Sequence, residues 1–285
     1  MAKRGVKSNI PGRKQRNRKL RERANERFKK RIKKPIPRSV VPSFFTLMNL
    51  FSGFLALIMI SEGKLVTGAW LIVLAGFFDA FDGFMARLTN GDSSFGIELD
   101  SLSDVVSFGA APGFLIYHFA FADSSNLILP LIAALPALCG AIRLARFNVE
   151  AHVEPSSYFR GLPIPAQAMI LVGFFLTFDS RTDLFSFFNH GLNSVIIPII
   201  VVLSLLMVST VPFDKVPRFN KEYMRENRPL VFLFLSYFVA IITLQEYGLM
   251  LVFTVFILRG LIVFGIRFWR ELMDEEEPEK SSPGI

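Results

Sequence analysis

Cysteine is nearly absent. Cys139 stands alone among 285 residues, which excludes an intrachain disulfide and a cysteine-based zinc site. Histidine is almost as scarce, and His118, His152 and His190 are too scattered to suggest a ligand set. No apolar run of signal-peptide length precedes residue 39, so no secretory signal is expected. Charge is thin as well, at 20% of residues, while 52% are hydrophobic, 31 of them Phe, and the mean hydropathy is +0.43. An ordinary water-soluble enzyme and a disordered chain are both excluded by that balance.

The apolar residues fall into blocks of about 16 to 25, the length a helix needs to cross roughly 30 Å of hydrocarbon. Eight spans are predicted, over 43–61, 66–88, 95–119, 125–149, 163–178, 192–211, 229–245 and 248–268. Joints after odd spans carry few basic residues: Ser61 to Lys64, Phe121 to Asp123, Asp179 to Arg181, and Gln245–Glu246. Joints after even spans hold Arg143 to Arg160, then Lys215, Arg218, Lys221, Arg225 and Arg228, and finally Arg267 and Arg270. The positive-inside rule places these basic joints and both termini in the cytoplasm. The expected fold class is an all-α integral membrane protein. One membrane domain, 39–271, lies between a basic tail, 1–38, and an acidic disordered tail, 272–285.

The basic tail holds 17 Lys and Arg against only Glu22 and Glu26, a net +15, and the rest of the chain, with 15 basic and 22 acidic residues, is −7. Phe28 is its single aromatic residue, and it runs straight into a membrane span. Anionic lipid headgroups are therefore the expected partner of the tail, and nucleic acid is not.

Residues 77–109 break the apolar pattern, with Asp79, Asp82, Asp100 and Asp104 set in helical sequence beside Arg87. An ionised carboxylate near the bilayer core costs at least a few kcal/mol unless it faces the interior and finds a partner. One arginine cannot neutralise four carboxylates, whereas a divalent cation can. Asp79 and Asp82 are spaced i, i+3, and Asp100 and Asp104 i, i+4, so each pair shares a helix face. All-oxygen donors suit Mg²⁺, Mn²⁺ or Ca²⁺, and two ions bridged by carboxylates suit a displacement at phosphorus. Gly83 and Gly96 break good helical sequence, pointing either to close approach of a ligand or to helix packing. A cation transporter would also place aspartates in a membrane, but its site is expected near the midplane rather than toward one face. A nonenzymatic anchor presenting the basic tail is the third class.

The string Asp79-x2-Asp82-Gly83-x2-Ala86-Arg87-x8-Gly96-x3-Asp100-x3-Asp104 resembles the signature of the CDP-alcohol phosphotransferases, with all eight positions filled. The resemblance covers roughly residues 42–180. It implies a homodimer with a six-helix core, which moves a substituted phosphate from a CDP-linked donor to a hydroxyl and releases CMP. Residue by residue, it implies that Asp79, Asp82 and Asp100 ligate one divalent ion, Mg²⁺ or Mn²⁺, and that Asp79, Asp100 and Asp104 surround a second. Asp104 is then the general base, Gly83 leaves room for the nucleotide, Gly96 belongs to the same CDP-lipid site, and Arg87 contacts phosphate. Thr46 and Asn49 either line the cytidine pocket or simply start a helix in polar fashion.

A second cluster bears on the acceptor. Arg143, Arg146 and Asn148 close the fourth span in RLARFN, followed by FRGLPIPA over 159–166. The two arginines, at i, i+3, are either topology signals or a clamp for a carboxylate or phosphate. RLARFN, FRGLPIPA, TLMNLFSG (46–53) and LMVS (206–209) resemble the phosphatidylserine synthase branch of the same family. That branch implies CDP-diacylglycerol and L-serine as substrates, with the serine carboxylate on Arg143 or Arg146 and its hydroxyl toward Asp104. Glycerol 3-phosphate, inositol phosphate and choline are the alternative acceptors within the family. The expected location is a bacterial or archaeal cell membrane, with the site open to the cytoplasm.

Overall fold

The computed structural model describes residues 40–89, 93–122, 124–151, 159–213 and 228–275. The basic tail over 1–38, the acidic tail from 276 onward, and Lys215, Arg218, Lys221 and Arg225 lie outside the described residues. Within them the chain is helical almost throughout. Helices α1 (Val40–Ser61) and α2 (Leu65–Thr89) are followed by α3 (Ser94–Asp104), which continues through a π-helical turn (Val105–Ala110), the short α4 (Ala111–Ile116) and a second π turn (Tyr117–Phe121). Then come α5 (Ile128–Ala151), α6 (Ile164–Phe178), α7 (Asn193–Val208) and α8 (Arg228–Glu275). Among the described residues the strand content is one two-residue antiparallel pairing, β1 (Phe159–Arg160) with β2 (Pro212–Phe213).

Five helices are long and apolar enough to cross a bilayer: Pro42–Ser61, Leu65–Ala86, Ser94–Phe121, Ile128–Glu150 and Tyr247–Ile266. Helices α6 and α7 are equally apolar but shorter. The protein is an all-α integral membrane protein, and its first six helical segments each end within about one turn of the sequence prediction.

The last two predicted spans, 229–245 and 248–268, lie in one helical stretch of 48 residues, α8. A straight helix of that length would run about 72 Å, more than twice the thickness of a bilayer core. It is not straight. A Cβ added to Gly248 would lie 2.5 Å from the carbonyl oxygen of Ala240 and 2.8 Å from Cα of Ile241. On a straight helix those positions are about 10–12 Å apart. The chain therefore doubles back around Gln245–Glu246, and α8 is two arms. Its end at Glu275 passes the predicted boundary at 271, carried by the good helix formers Glu271, Leu272 and Met273.

The sequence predicts an uninterrupted α-helix over 95–119, and here the structure differs. Beyond Asp104 the ladder widens, and the N–H of Ala111 bonds back to Val106 O, an i to i−5 contact. Pro112 follows immediately and has no N–H for the α-helical ladder, so the carbonyls before it re-pair in wider turns.

Side-chain contacts gather one set of helix ends. Asn148 of α5 donates to Glu98 and Ser101 of α3. Arg146 donates to the last carbonyls of α7, and Gly161, before α6, bonds Val211. The start of α1, the end of α2, the start of α3 and these ends thus share one side of the bundle. Phe108, Leu115, Ile116, Phe175 and Ile196 fill the interior below them without exposure.

Candidate active site

Asp79 and Asp82 sit one turn apart on α2, and Asp100 and Asp104 one turn apart on α3. The fold brings the pairs together. One carboxylate oxygen each from Asp79, Asp82 and Asp100 lies within 4.8 Å of the others. Asp104, at the end of α3 and buried, stands within side-chain hydrogen-bonding reach of Asp79. Asp82 Oδ2 and Asp100 Oδ1 are buried with no hydrogen-bond partner. Unpartnered carboxylate oxygens in apolar surroundings are costly, and three converging oxygen donors with no thiol or imidazole among them fit a hard divalent cation. The donor set therefore fits the metal expected from the sequence.

A cavity of about 150 Å³ opens beside this cluster. Thr46 of α1, Asp82, Gly83 and Ala86 of α2, and Gly96 and Asp100 of α3 line it. A Cβ on Gly83 would meet open space, so the absent side chain enlarges the cavity rather than admitting a neighbouring helix. Gly96 lies at the start of α3, where its N–H is bound by the capping hydroxyl of Ser93 at 3.1 Å. Arg87 lies on α2, one turn past Gly83, and its side chain is outside the described residues.

Thr46 and Asn49, paired in the sequence reading, diverge in the structure. Thr46 faces the cavity and donates to Pro42 O at 3.1 Å. Asn49, fully buried, donates through Nδ2 to Asp104 Oδ1 at 3.3 Å. Arg143 and Arg146 diverge as well. Arg143 is buried and within electrostatic range of Asp104. Arg146 commits both terminal nitrogens to backbone, Nη1 to Val208 O at 2.8 Å and Nη2 to Arg160 O at 3.2 Å and Ser209 O at 3.1 Å. Asn148 bridges to Ser101 Oγ at 3.0 Å and Glu98 Oε2 at 3.4 Å, tying α5 to α3.

Three short motifs read from the sequence thus meet in one knot. Gly161 of FRGLPIPA has φ +80°, and a Cβ there would strike the carbonyl oxygen of Met207 in LMVS. Only glycine fits both the left-handed backbone and that contact. Arg146 of RLARFN binds the same carbonyl ends.

Ser103 and Ser107 were not singled out by sequence. Ser103 Oγ donates to Thr46 O at 3.1 Å and Ser107 Oγ to Asn49 O at 3.0 Å, stitching α3 and its π turn to α1. Interhelical bonds of this kind contribute about 0.6–2 kcal/mol each in a membrane. Gly53 permits the approach, since a Cβ there would lie 2.7 Å from Cα of Ser107. The available signal was the i, i+4 serine pair beside Asp104.

With site and fold in place, comparison with known proteins defines the class. The CDP-alcohol phosphatidyltransferase family matches residues 39–207, and the chain belongs to that family. Among relatives, the CDP-diacylglycerol–serine O-phosphatidyltransferase of Helicobacter pylori is 33% identical over 238 residues, covering 83% of this chain and 94% of that one. A protein of the same name from Methanocaldococcus jannaschii is 37% identical over 212 residues, covering 74% and 88%. The crystal structure of apo phosphatidylinositol phosphate synthase from Mycobacterium tuberculosis is similar with a TM-score of 0.40 at 20% identity, covering 72% of this chain and 93% of that one.

Proposed function

We infer that the protein transfers the phosphatidyl group of CDP-diacylglycerol to the hydroxyl of L-serine, giving phosphatidylserine and CMP. The observation that carries this reading is the folding of the eight-residue signature. Three of its carboxylates converge, and two of its glycines line the adjoining cavity. The names of the relatives support serine as the acceptor.

Asp79, Asp82 and Asp100 would hold one Mg²⁺ or Mn²⁺ ion, and Asp79, Asp100 and Asp104 a second. Bound there, the metal supplies charge neutralisation for the pyrophosphate and the departing CMP. The remaining work belongs to the side chains. Gly83 leaves space for the nucleotide, and Arg87 is the residue assigned to its phosphate. Asp104 accepts the serine proton as the serine oxygen bonds the phosphatidyl phosphorus and the phosphorus–oxygen bond to CMP breaks, CMP keeping the electron pair. Arg143 anchors the serine carboxylate. Arg146, already bonded to three carbonyls, holds α5 against α7 instead. The enzyme works as a homodimer in the cell membrane, its site and termini cytoplasmic and its basic tail on anionic lipid.

The test is CMP release by purified protein supplied with CDP-diacylglycerol and, in turn, L-serine, glycerol 3-phosphate, inositol phosphate and choline. Serine should be preferred. Faster release with another acceptor moves the protein to a different branch of its family and leaves the phosphotransferase reading intact.

A further inference from the structure

The two halves of the Asn49 amide have different fates. Nδ2 donates to Asp104 Oδ1 at 3.3 Å, whereas Oδ1 is buried with no hydrogen-bond partner. The contact runs from the NH₂ to a carboxylate oxygen, which turns the amide nitrogen toward Asp104 and the carbonyl oxygen away from it. A residue chosen for packing alone would not leave a buried carbonyl oxygen unmatched, and such orphans call for an explanation. The backbone of Asn49 is itself held, because Ser107 Oγ donates to its carbonyl and Ser103 Oγ binds the carbonyl of Thr46 one turn earlier. Across the interface, α3 ends at Asp104 and the π turn opens at Val105, so the backbone changes geometry right at this carboxylate. Among the described residues, Asn49 is the hydrogen-bond donor that α1 offers to Asp104.

We propose that Asn49 is a positioning residue: it grips Asp104 Oδ1 from α1 and so fixes the orientation in which this carboxylate meets the acceptor hydroxyl. This replaces the cytidine-pocket role that its place near Thr46 suggested, and it rests on Asp104 being the proton acceptor.

The experiment compares Asn49→Leu, Asn49→Asp, Ser107→Ala and Asp104→Asn in the purified full-length chain, by steady-state kinetics and by direct CDP-diacylglycerol binding. Asn49→Leu keeps the branching and the number of heavy atoms and removes the donor. It should lower kcat at least about 10-fold, with the KM for CDP-diacylglycerol within about threefold of the parent. Asn49→Asp keeps the shape but faces Asp104 with a second acceptor, and should lower kcat further. A purely structural role instead lowers the melting temperature of both variants and leaves the kcat of the folded protein near parental. Ser107→Ala, which removes the bond to the Asn49 carbonyl, should lower the melting temperature. Parental kcat in Asn49→Leu, or a raised KM for CDP-diacylglycerol at unchanged kcat, overturns the inference. Asp104→Asn separates it from the reading beneath: normal turnover there removes the base assignment itself, whereas impaired turnover beside unimpaired Asn49 variants removes only the positioning role. If Asn49→Leu does not fold, Asn49→Asp carries the same decision.

Discussion

At the aspartate pocket, Asp82 Oδ2, Asp100 Oδ1 and Asn49 Oδ1 are buried without hydrogen-bond partners. At the knot on the same side of the bundle, Arg146 meets three carbonyls, and Gly161 N–H bonds Val211 O at 2.8 Å. Both regions are polar, both adjoin helix ends, and both lie in motifs that sequence reading connected with substrate. They differ in what is left over. A finished network stabilises the fold and has little capacity for a ligand, while an unfinished one destabilises the empty fold until something charged arrives. The boundary between the two runs between Arg143 and Arg146, a single turn of α5.

Metal removal should break this comparison most completely. Because the carboxylates at the pocket need compensation, EDTA should abolish CMP release, and Mn²⁺ or Mg²⁺ should restore it. Full activity in metal-free buffer would mean that the unpartnered oxygens have another explanation. The knot contains no such donor set, so the melting temperature should respond to metal through the pocket alone, and Asp82→Asn should abolish that response.

Next in size is Asp104→Asn, which keeps the shape of the side chain and removes the base. Turnover should fall about 10²-fold or more with CDP-diacylglycerol binding retained. Near-parental turnover in a CMP-release assay would leave Asp104 with only a structural role.

The two arginines then sharpen the contrast. Arg143→Lys keeps the charge and loses the two-point grip, so the KM for serine should rise roughly 10-fold while that for CDP-diacylglycerol changes much less. Arg146→Lys should behave differently, lowering the melting temperature and moving the serine KM by no more than about threefold. Equal serine KM effects in the two variants would erase the division of labour drawn between them.

The smallest kinetic effect is expected at Gly161→Ala. Its left-handed φ and the contact with Met207 O make any Cβ strained, at a cost of at least about 1–2 kcal/mol in stability. Thermal unfolding should show that loss, with the KM for both substrates close to parental in the protein that remains folded. A selective rise in the serine KM would instead extend the acceptor site into the knot.

Much of the molecule was legible in its residues. The helices and their ends followed from apolar length and from polar joints, because both are properties of local sequence, and the chain doubles back between Ile241 and Gly248, the stretch that holds the predicted Gln245–Glu246 joint. The four aspartates stood out because a charge in hydrocarbon is expensive wherever the chain later goes. Their spacing put each pair on one face, and Gly83 and Gly96 line the same cavity as Asp82 and Asp100.

The π turn was not legible. The Pro112 that accompanies it is tolerated within membrane helices in several ways, and the choice depends on which neighbouring groups re-pair the freed carbonyls. Nor could sequence separate Thr46 from Asn49 or Arg143 from Arg146. Each pair is spaced i, i+3 on one helix, and local chemistry treats its members alike. What distinguishes them lies far along the chain: Asp104, 55 residues from Asn49, and the carbonyl of Val208, 62 residues from Arg146. The sequence by itself determined that this is a helical membrane protein with a carboxylate site, since burial cost and periodicity act locally. Only the tertiary structure decided which polar atoms find a hydrogen-bond partner within the fold and which, such as Asp82 Oδ2 and Asp100 Oδ1, do not, because hydrogen bonds are completed by whichever atoms packing brings within about 3 Å.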